Sequence, residues 1–476
     1  MKTMKKFLSM AALALVGIVM TGCSSDDNTV STQQSNNGLV LKTTISLDEN
    51  GSDMRALTAA GVKTFAVGEQ VALFYKDENN DSRKVVSSAL TAPDISADGK
   101  TANLTFDVSS AAPAANGAIR YVYPANMAST NDDSTFDLDD EHTIDFTKLD
   151  AQDGTLATLG SSLDLCVFDG NFSGTSLPAS ASLTNRLAVL AITLTDNAAT
   201  PAEITSSITD LVVVEGTNHY AVTRSAVAGP IYVAIKPTSS AVIEVAASDG
   251  AKDYGKFLTS KTYAANNGYN VSWKMLPCVN LNNKGAGIYT YDVTEDMIIT
   301  GTPEESGFRI NLPNKECTVT LADVDPTGSK SVSLNGNTGI AMTVMLKGTS
   351  RLFELGNGGG ASVTIDAVEP GGTVIVTKPY NPLSGEPLII NGGTVKAKAT
   401  AGWYAVYGNL EVNGGAVYLA GHEYNSVEYP AVSGTITGTL YGWDGSAWGA
   451  VTSGTSSAAQ YITTDNTSGD PTAWTW

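Results

Sequence analysis

The sequence predicts an all-β chain: two β-sandwiches followed by a C-terminal parallel β-solenoid. Three observations carry this. Thr, Val and Ile recur in short alternating runs, and 46 glycines punctuate the 476 residues with turn clusters about every ten positions. No long stretch of helical periodicity interrupts them. From about residue 278 glycine becomes dense, and from 371 paired glycines introduce short apolar strands at a near-constant spacing.

The first element precedes the fold. Lys2, Lys5 and Lys6 form a basic head, residues 7–20 are a nearly uninterrupted apolar run, and Thr21-Gly22 are small. That order describes a secretory signal, and the apolar run is short of the ~20 residues that a spanning helix needs. Met20-Thr21-Gly22-Cys23 resembles a bacterial lipobox. The resemblance implies cleavage before Cys23, diacylglycerol on its thiol, and anchoring in the cell outer membrane. Ser24-Ser25-Asp26-Asp27 resembles the acidic signal that takes some Bacteroidetes lipoproteins to the outer face. Residues 1–22 are thus expected to be a lipoprotein signal peptide, and 23–37, polar and aperiodic, a flexible tether.

Loss of residues 1–22 removes three lysines and no acid, so the formal charge moves from −20 to −23. Such a surface repels nucleic acid and anionic lipid alike. Cys166, Cys278 and Cys317 are the cysteines left besides Cys23, in no CxxC pattern, and either a Cys278–Cys317 bridge or free thiols fit. His142, His219 and His422 are too scattered to suggest a zinc site.

Strands are expected at 39–47, 70–75, 102–108, 119–123, 188–195, 208–214 and 230–235, with a hairpin tip at Asp77–Asp81. Turn-rich residues near 169–175 divide them into a sandwich over 38–175 and a second over 176–276. Five segments in this order resemble fimbrillins, the subunits of Bacteroidetes type V pili: FAVGEQVALF (65–74), IRYVYP (119–124), NRLAVLAI (185–192), IYVAIKP (231–237) and GYNV (268–271). Glu69 and Asn185 depart from the commoner Asp and His or Arg. The resemblance implies two transthyretin-like β-sandwich domains, and a precursor whose first strand is removed by an Arg-specific protease. A strand from another pilus subunit then fills the groove by donor-strand exchange. The first strand here carries Leu39, Leu41, Ile45 and Leu47, and the polar loop after it contains one arginine, Arg55. Arg55 is therefore the candidate processing site, or else an ordinary exposed loop residue.

In the region 277–476, the Gly-Gly pairs beginning at 371, 392 and 414 each lead into a short strand, giving spacings of 21 and 22 residues. Tight turns entering short strands at that period are the mark of a solenoid. CTVTLADV (317–324), MLKGTSRL (345–352) and LIINGGTV (388–395) resemble the coils of a class of right-handed β-helix carbohydrate-binding domains. That implies a right-handed solenoid with an adhesin-like role toward a surface glycan or a host or bacterial receptor. Acidic polysaccharides, at times with calcium, are the ligands of that class. No cofactor beyond the diacylglycerol is expected, a structural calcium ion being the one addition the resemblance admits.

Five of the six tryptophans follow residue 400. Aromatic planes pack on the C–H faces of sugar rings, so Trp403, Tyr441, Trp443 and Trp448 are candidate glycan contacts. The Asp444-Gly445 turn should bring Trp443 and Trp448 together across a hairpin. The alternative is that these rings cap the open end of the solenoid. Catalysis is not expected. The G-x-S-x-G elbow, P-loop and HExxH patterns are absent. Acids are sparse in the coils, Asp323 and Asp325 fit turn capping as well as chemistry, and the run from Asp137 to His142 suits a solvated loop. Two readings remain. One is a lipid-delivered pilus subunit, at the tip or as an accessory adhesin, that ends in a fimbrium. The other is a surface lipoprotein that binds, or cleaves, polysaccharide without polymerising.

Overall fold

A computed structural model describes residues 39–47, 64–130, 135–225, 227–284, 287, 289–303, 305–312, 315–325, 331–337, 339–357, 361–425 and 427–476. Cys23, Arg55 and the expected signal and tether lie outside them. Strands make up 52% of the chain and helix 8%, and a C-terminal solenoid of about six turns follows a sheet-rich N-terminal part.

The first sheet contains β1 (Val40–Leu47), β2 (Ala72–Lys76), β3 (Ser82–Val86), β4 (Thr101–Asp107), β5 (Ala118–Tyr123), β6 (Cys166–Asn171) and β7 (Ser180–Asn185). Their order is β3-β2-β5-β6-β7-β1-β4, so the first strand of the chain lies one place in from an edge. Alternation gives each strand an inward row, and Ile45, Leu104, Phe106, Tyr75, Tyr121 and Leu183 meet in one core. β2 and β5 are buried on their other faces as well. Phe74 and Val122 join a second core, which explains why these strands read as continuous apolar runs rather than alternating ones. Short helical turns between residues 124 and 165 add Met127, Ile144, Leu159 and Leu163 to that second core.

The second sandwich sets β8 (Ala188–Thr195), β11 (Ile231–Ile235) and β14 (Asn267–Lys274) against β9 (Asp210–Glu215), β10 (Asn218–Thr223), β12 (Thr238–Ser248) and β13 (Asp253–Tyr263). β14 runs parallel to β8 and β11 antiparallel to it.

No linker separates this unit from the solenoid. β15 (Leu276–Asn280) pairs antiparallel with β13 and parallel with the coil strand Met297–Gly301. The sandwich sheet therefore continues into the solenoid as one 13-stranded ladder. The expected 276/277 division falls inside β15, a strand that ends one unit and begins the next.

The coils have three faces. One continues the long ladder through Cys317–Val324, Met342–Lys347, Val363–Ala367, Leu388–Ile390 and Leu410–Val412. A second runs through Phe308–Leu312, Val332–Gly336 and Glu354–Asn357, and a third through Thr349–Leu352, Thr373–Lys378, Thr394–Ala399 and Ala416–Ala420. The glycine pairs stand at the corner before the third face. Gly393 and Gly415 have φ of +75° and +77°, and a Cβ on Gly415 would lie 2.4 Å from the Gly393 carbonyl oxygen. Stacked glycines are thus required by backbone passing over backbone. Inside, Val374, Val395 and Val417 form one column and Val376, Ala397 and Leu419 another, all with no exposed surface.

Candidate functional sites: the first-strand slot and the C-terminal aromatic face

β1 pairs antiparallel with β4, from Val40↔Asp107 to Ser46↔Thr101, and parallel with β7, from Thr44↔Ser180 to Leu47↔Leu183. Its inward residues are Leu41, Thr43, Ile45 and Leu47, with exposures of 9, 5, 0 and 9%. Leu39, expected on the same row, lies just before the strand and is 37% exposed. Further bonds close the ends: Val108 N donates to Leu39 O at 2.9 Å and Leu47 N to Lys100 O at 3.3 Å. After Leu47 the chain leaves the described residues and returns at Thr64, where Phe65 packs edge-on against Tyr123 at 5.3 Å. A cut within 48–63 would leave β1 held only by non-covalent contacts. Taken out, β1 would uncover a groove flanked by two unpaired backbone edges.

At the other end, Trp443 and Trp448 face each other in the hairpin Leu440–Trp443/Trp448–Val451, with ring centroids 5.1 Å apart. Asp444 holds the turn, accepting from Ser446 N and Ala447 N at 2.8 Å each, and those bonds hold its carboxyl below the usual range. Trp448 is not free on both sides. Trp474 stacks on it at 5.5 Å and 6°, and the Trp448 indole N–H donates to the Ser468 carbonyl. Trp474 also meets Tyr418 and Tyr461 edge-on. Beside this cluster a cleft of about 890 Å³ is lined by Trp443, Tyr461, Gln460, Glu428, Asp444 and Asp470. Tyr441 is half-buried on the same hairpin.

Trp403 belongs to a separate and more open group. It is 44% exposed, with Tyr380 and Tyr407 at 46 and 50%. Its ring lies nearly parallel to Tyr429 at 6.5 Å, and Tyr380 meets it edge-on at 6.3 Å. Tyr404 touches both Tyr407 and Tyr429. These four tyrosines escaped the sequence reading, which followed the tryptophans and, of the tyrosines, named only Tyr441. The available signal was an aromatic shortly after successive third-face strands, Tyr380 after Lys378 and Trp403 after Ala399.

The acids singled out earlier have structural employment. Asp323 Oδ1 accepts from Thr349 N at 2.9 Å, and Asp325 pairs with Arg351 at 3.4 Å. Asp139 caps the short helix Asp140–Thr143, replacing the expected loop, and Asp140 pairs with the buried Arg120. Among the described residues no group of three His, Cys, Asp or Glu is placed to hold a metal ion. No disulfide joins Cys166, Cys278 and Cys317, and burial pushes the Cys278 thiol up to about 12.

No protein-family model and no curated protein matches the chain. Among solved structures it is similar to a fimbrial assembly protein from Parabacteroides distasonis, at 11% identity and a TM-score of 0.30, over 49% of this chain and 91% of that one. It is similar to a fimbrial protein from Bacteroides ovatus, at 15% identity and a TM-score of 0.23, over 50% of this chain and 48% of that one. A protein from Bacteroides thetaiotaomicron whose description is polysaccharide binding follows at 10% identity and 0.27, over 49% of this chain and 91% of that one. Two of the three are described as fimbrial, the word for the class of protein that the strand motifs resemble. At such TM-scores they carry no functional weight, which falls on the chain's own geometry.

Proposed function

We propose that this chain is a surface subunit of a fimbrillin-like pilus, delivered as a lipoprotein through Cys23 and acting as a tip or accessory adhesin. The observation that carries the reading is the place of β1. It fills the first core from one position inside the sheet edge, yet its covalent tie to the rest is the segment 48–63 that contains Arg55. Cleavage at Arg55 would discard lipid and strand together and leave a groove for a neighbour's strand. The last strand, Tyr461–Thr463, already pairs with Ala416–Ala420 and Leu440–Trp443. Being engaged in the chain's own sheet, that strand is not on offer to another subunit. The Trp403 group and the Trp443 cleft supply aromatic faces beside hydroxyls and carboxylates, chemistry suited to a glycan.

N-terminal sequencing of protein extracted from the cell surface tests the reading. Polymerised chains beginning at Ala56 are expected; polymers with an intact chain upstream of Ala56 would overturn it.

A second reading is a lipoprotein that holds polysaccharide at the surface and never polymerises. It is favoured by the full burial of Ile45, since a strand so well seated also serves as a permanent part of the fold. Electron microscopy with antibody labelling separates the two: label at pilus tips supports the first, and label on bare membrane the second.

A further inference from the structure

The row that β1 presents to the core is not uniformly apolar. Leu41, Ile45 and Leu47 are aliphatic, but Thr43 stands among them at 5% exposure. Its hydroxyl donates to the carbonyl of Pro178 at 2.7 Å, in the residues that lead into β7. Tyr121, on β5, has its hydroxyl buried in the same core, where it makes no well-formed hydrogen bond and has the Thr43 hydroxyl as its polar neighbour. Burial raises the pKa of this phenol, and the Thr43 hydroxyl offsets part of the rise. The slot thus holds one polar layer between apolar ones. An aliphatic side chain there would take the donor from the Pro178 carbonyl and leave the Tyr121 hydroxyl in apolar surroundings, whereas a charged one would be buried without a counter-ion.

We propose that this layer selects the strand that replaces β1. The segment of a second subunit that enters the slot carries threonine or serine at the position of Thr43, with aliphatic residues two positions to each side. Alternation alone admits any apolar strand; the Thr43 layer narrows the partner to a pattern of aliphatic, hydroxyl, aliphatic, aliphatic on the inward row. The inference rests on the strand-exchange reading.

The test uses the full chain with a site-specific protease sequence placed within 48–63, cleaved and then incubated with labelled peptides of sequence 40–47. Native mass spectrometry reads which peptide the chain takes up. The unchanged peptide and Thr43→Ser should enter, Thr43→Val should enter about tenfold less in equimolar competition, and Ile45→Asp should be excluded. Equal uptake of the Thr43→Val and unchanged peptides, with Ile45→Asp still excluded, would overturn the selection while leaving the slot intact. Uptake of no peptide after the original strand has been washed out would overturn the exchange reading itself.

Discussion

The first sandwich and the solenoid are built from similar residues but close their cores in opposite ways. In the solenoid, each strand pairs with one about a coil away, as Thr394 with Thr373 and with Ala416. In the sandwich, β1 joins β4 and β7, so that Ile45 meets Ala102 and Ala181. Solenoid contacts are near in sequence and repeated; the sandwich core depends on one distant strand. A repeat array loses a coil locally when a coil is damaged, whereas the sandwich core depends on β1, the strand proposed to be exchanged. Under that proposal the difference suits one region to exchange and the other to display.

Ile45→Asp breaks the comparison hardest. A carboxylate at a site with no exposed surface should cost about 4 kcal/mol or more. Native-state hydrogen exchange should then show β4 and β7 losing protection while the coil strands Val363–Ala367 and Thr394–Ala399 keep theirs.

Gly415→Val reverses the pattern. At φ +77° and with the Gly393 oxygen in the way, the side chain should cost about 2–4 kcal/mol. Coils near Ala416–Ala420 should open, and the β1 sheet should be unaffected by the same measurement.

Lys347→Met sharpens the comparison at the joint. Lys347 Nζ bridges Glu244 of the sandwich at 2.8 Å and Glu369 of the solenoid, and the three side chains are only 15, 12 and 23% exposed. Removing the cation leaves two close carboxylates, for a loss of about 2–3 kcal/mol by denaturant titration. Burial alone would lower the lysine's pKa, but hydrogen bonds to the two glutamates outweigh it and raise the value above 10.5. A raised folded-state pKa means that this stabilisation is full below about 10.5 and lost as pH climbs through the folded value. The unchanged chain should weaken in that alkaline range more than the Lys347→Met chain.

Trp403→Ala should have the smallest effect on folding, within about 0.5–1 kcal/mol, because the ring is half out in solvent. Retention on a glycan array should nonetheless fall about tenfold or more. Unchanged retention would remove this group from the display surface and leave the Trp443 cleft as its candidate.

The same contrast explains what could be read from the residues. The Gly-Gly pairs at 371, 392 and 414 announced the coils because each coil solves the same steric problem at the same corner. Alternation located β1, β4 and β8, and continuous apolar runs located β2 and β5, to within two residues or so at either end, and the Asp77–Asp81 tip, where Asp77 Oδ1 accepts from Asn79 N and Asp81 N, turned as expected. Which strand lies beside which was not legible: nothing local to Ile45 names Ala181 as its neighbour. Nor was the shared strand β15 visible, since a strand that ends one core and starts another has an ordinary composition. The Trp443–Trp448 pairing followed from the Asp444-Gly445 turn, but Trp474 covering Trp448 from 26 residues away did not, because that contact depends on how the end of the chain folds back.

The central claim is that β1 is a structural yet separable strand. Hydrogen exchange measured on the full chain, intact and then cleaved within 48–63 and freed of its first strand, tests it most directly. The amides of β1 should be strongly protected in the intact chain, and after removal protection should be lost along β4 and β7 but kept in the coils. Rapid exchange of β1 in the intact chain, or unchanged protection of β4 and β7 without it, would contradict the claim.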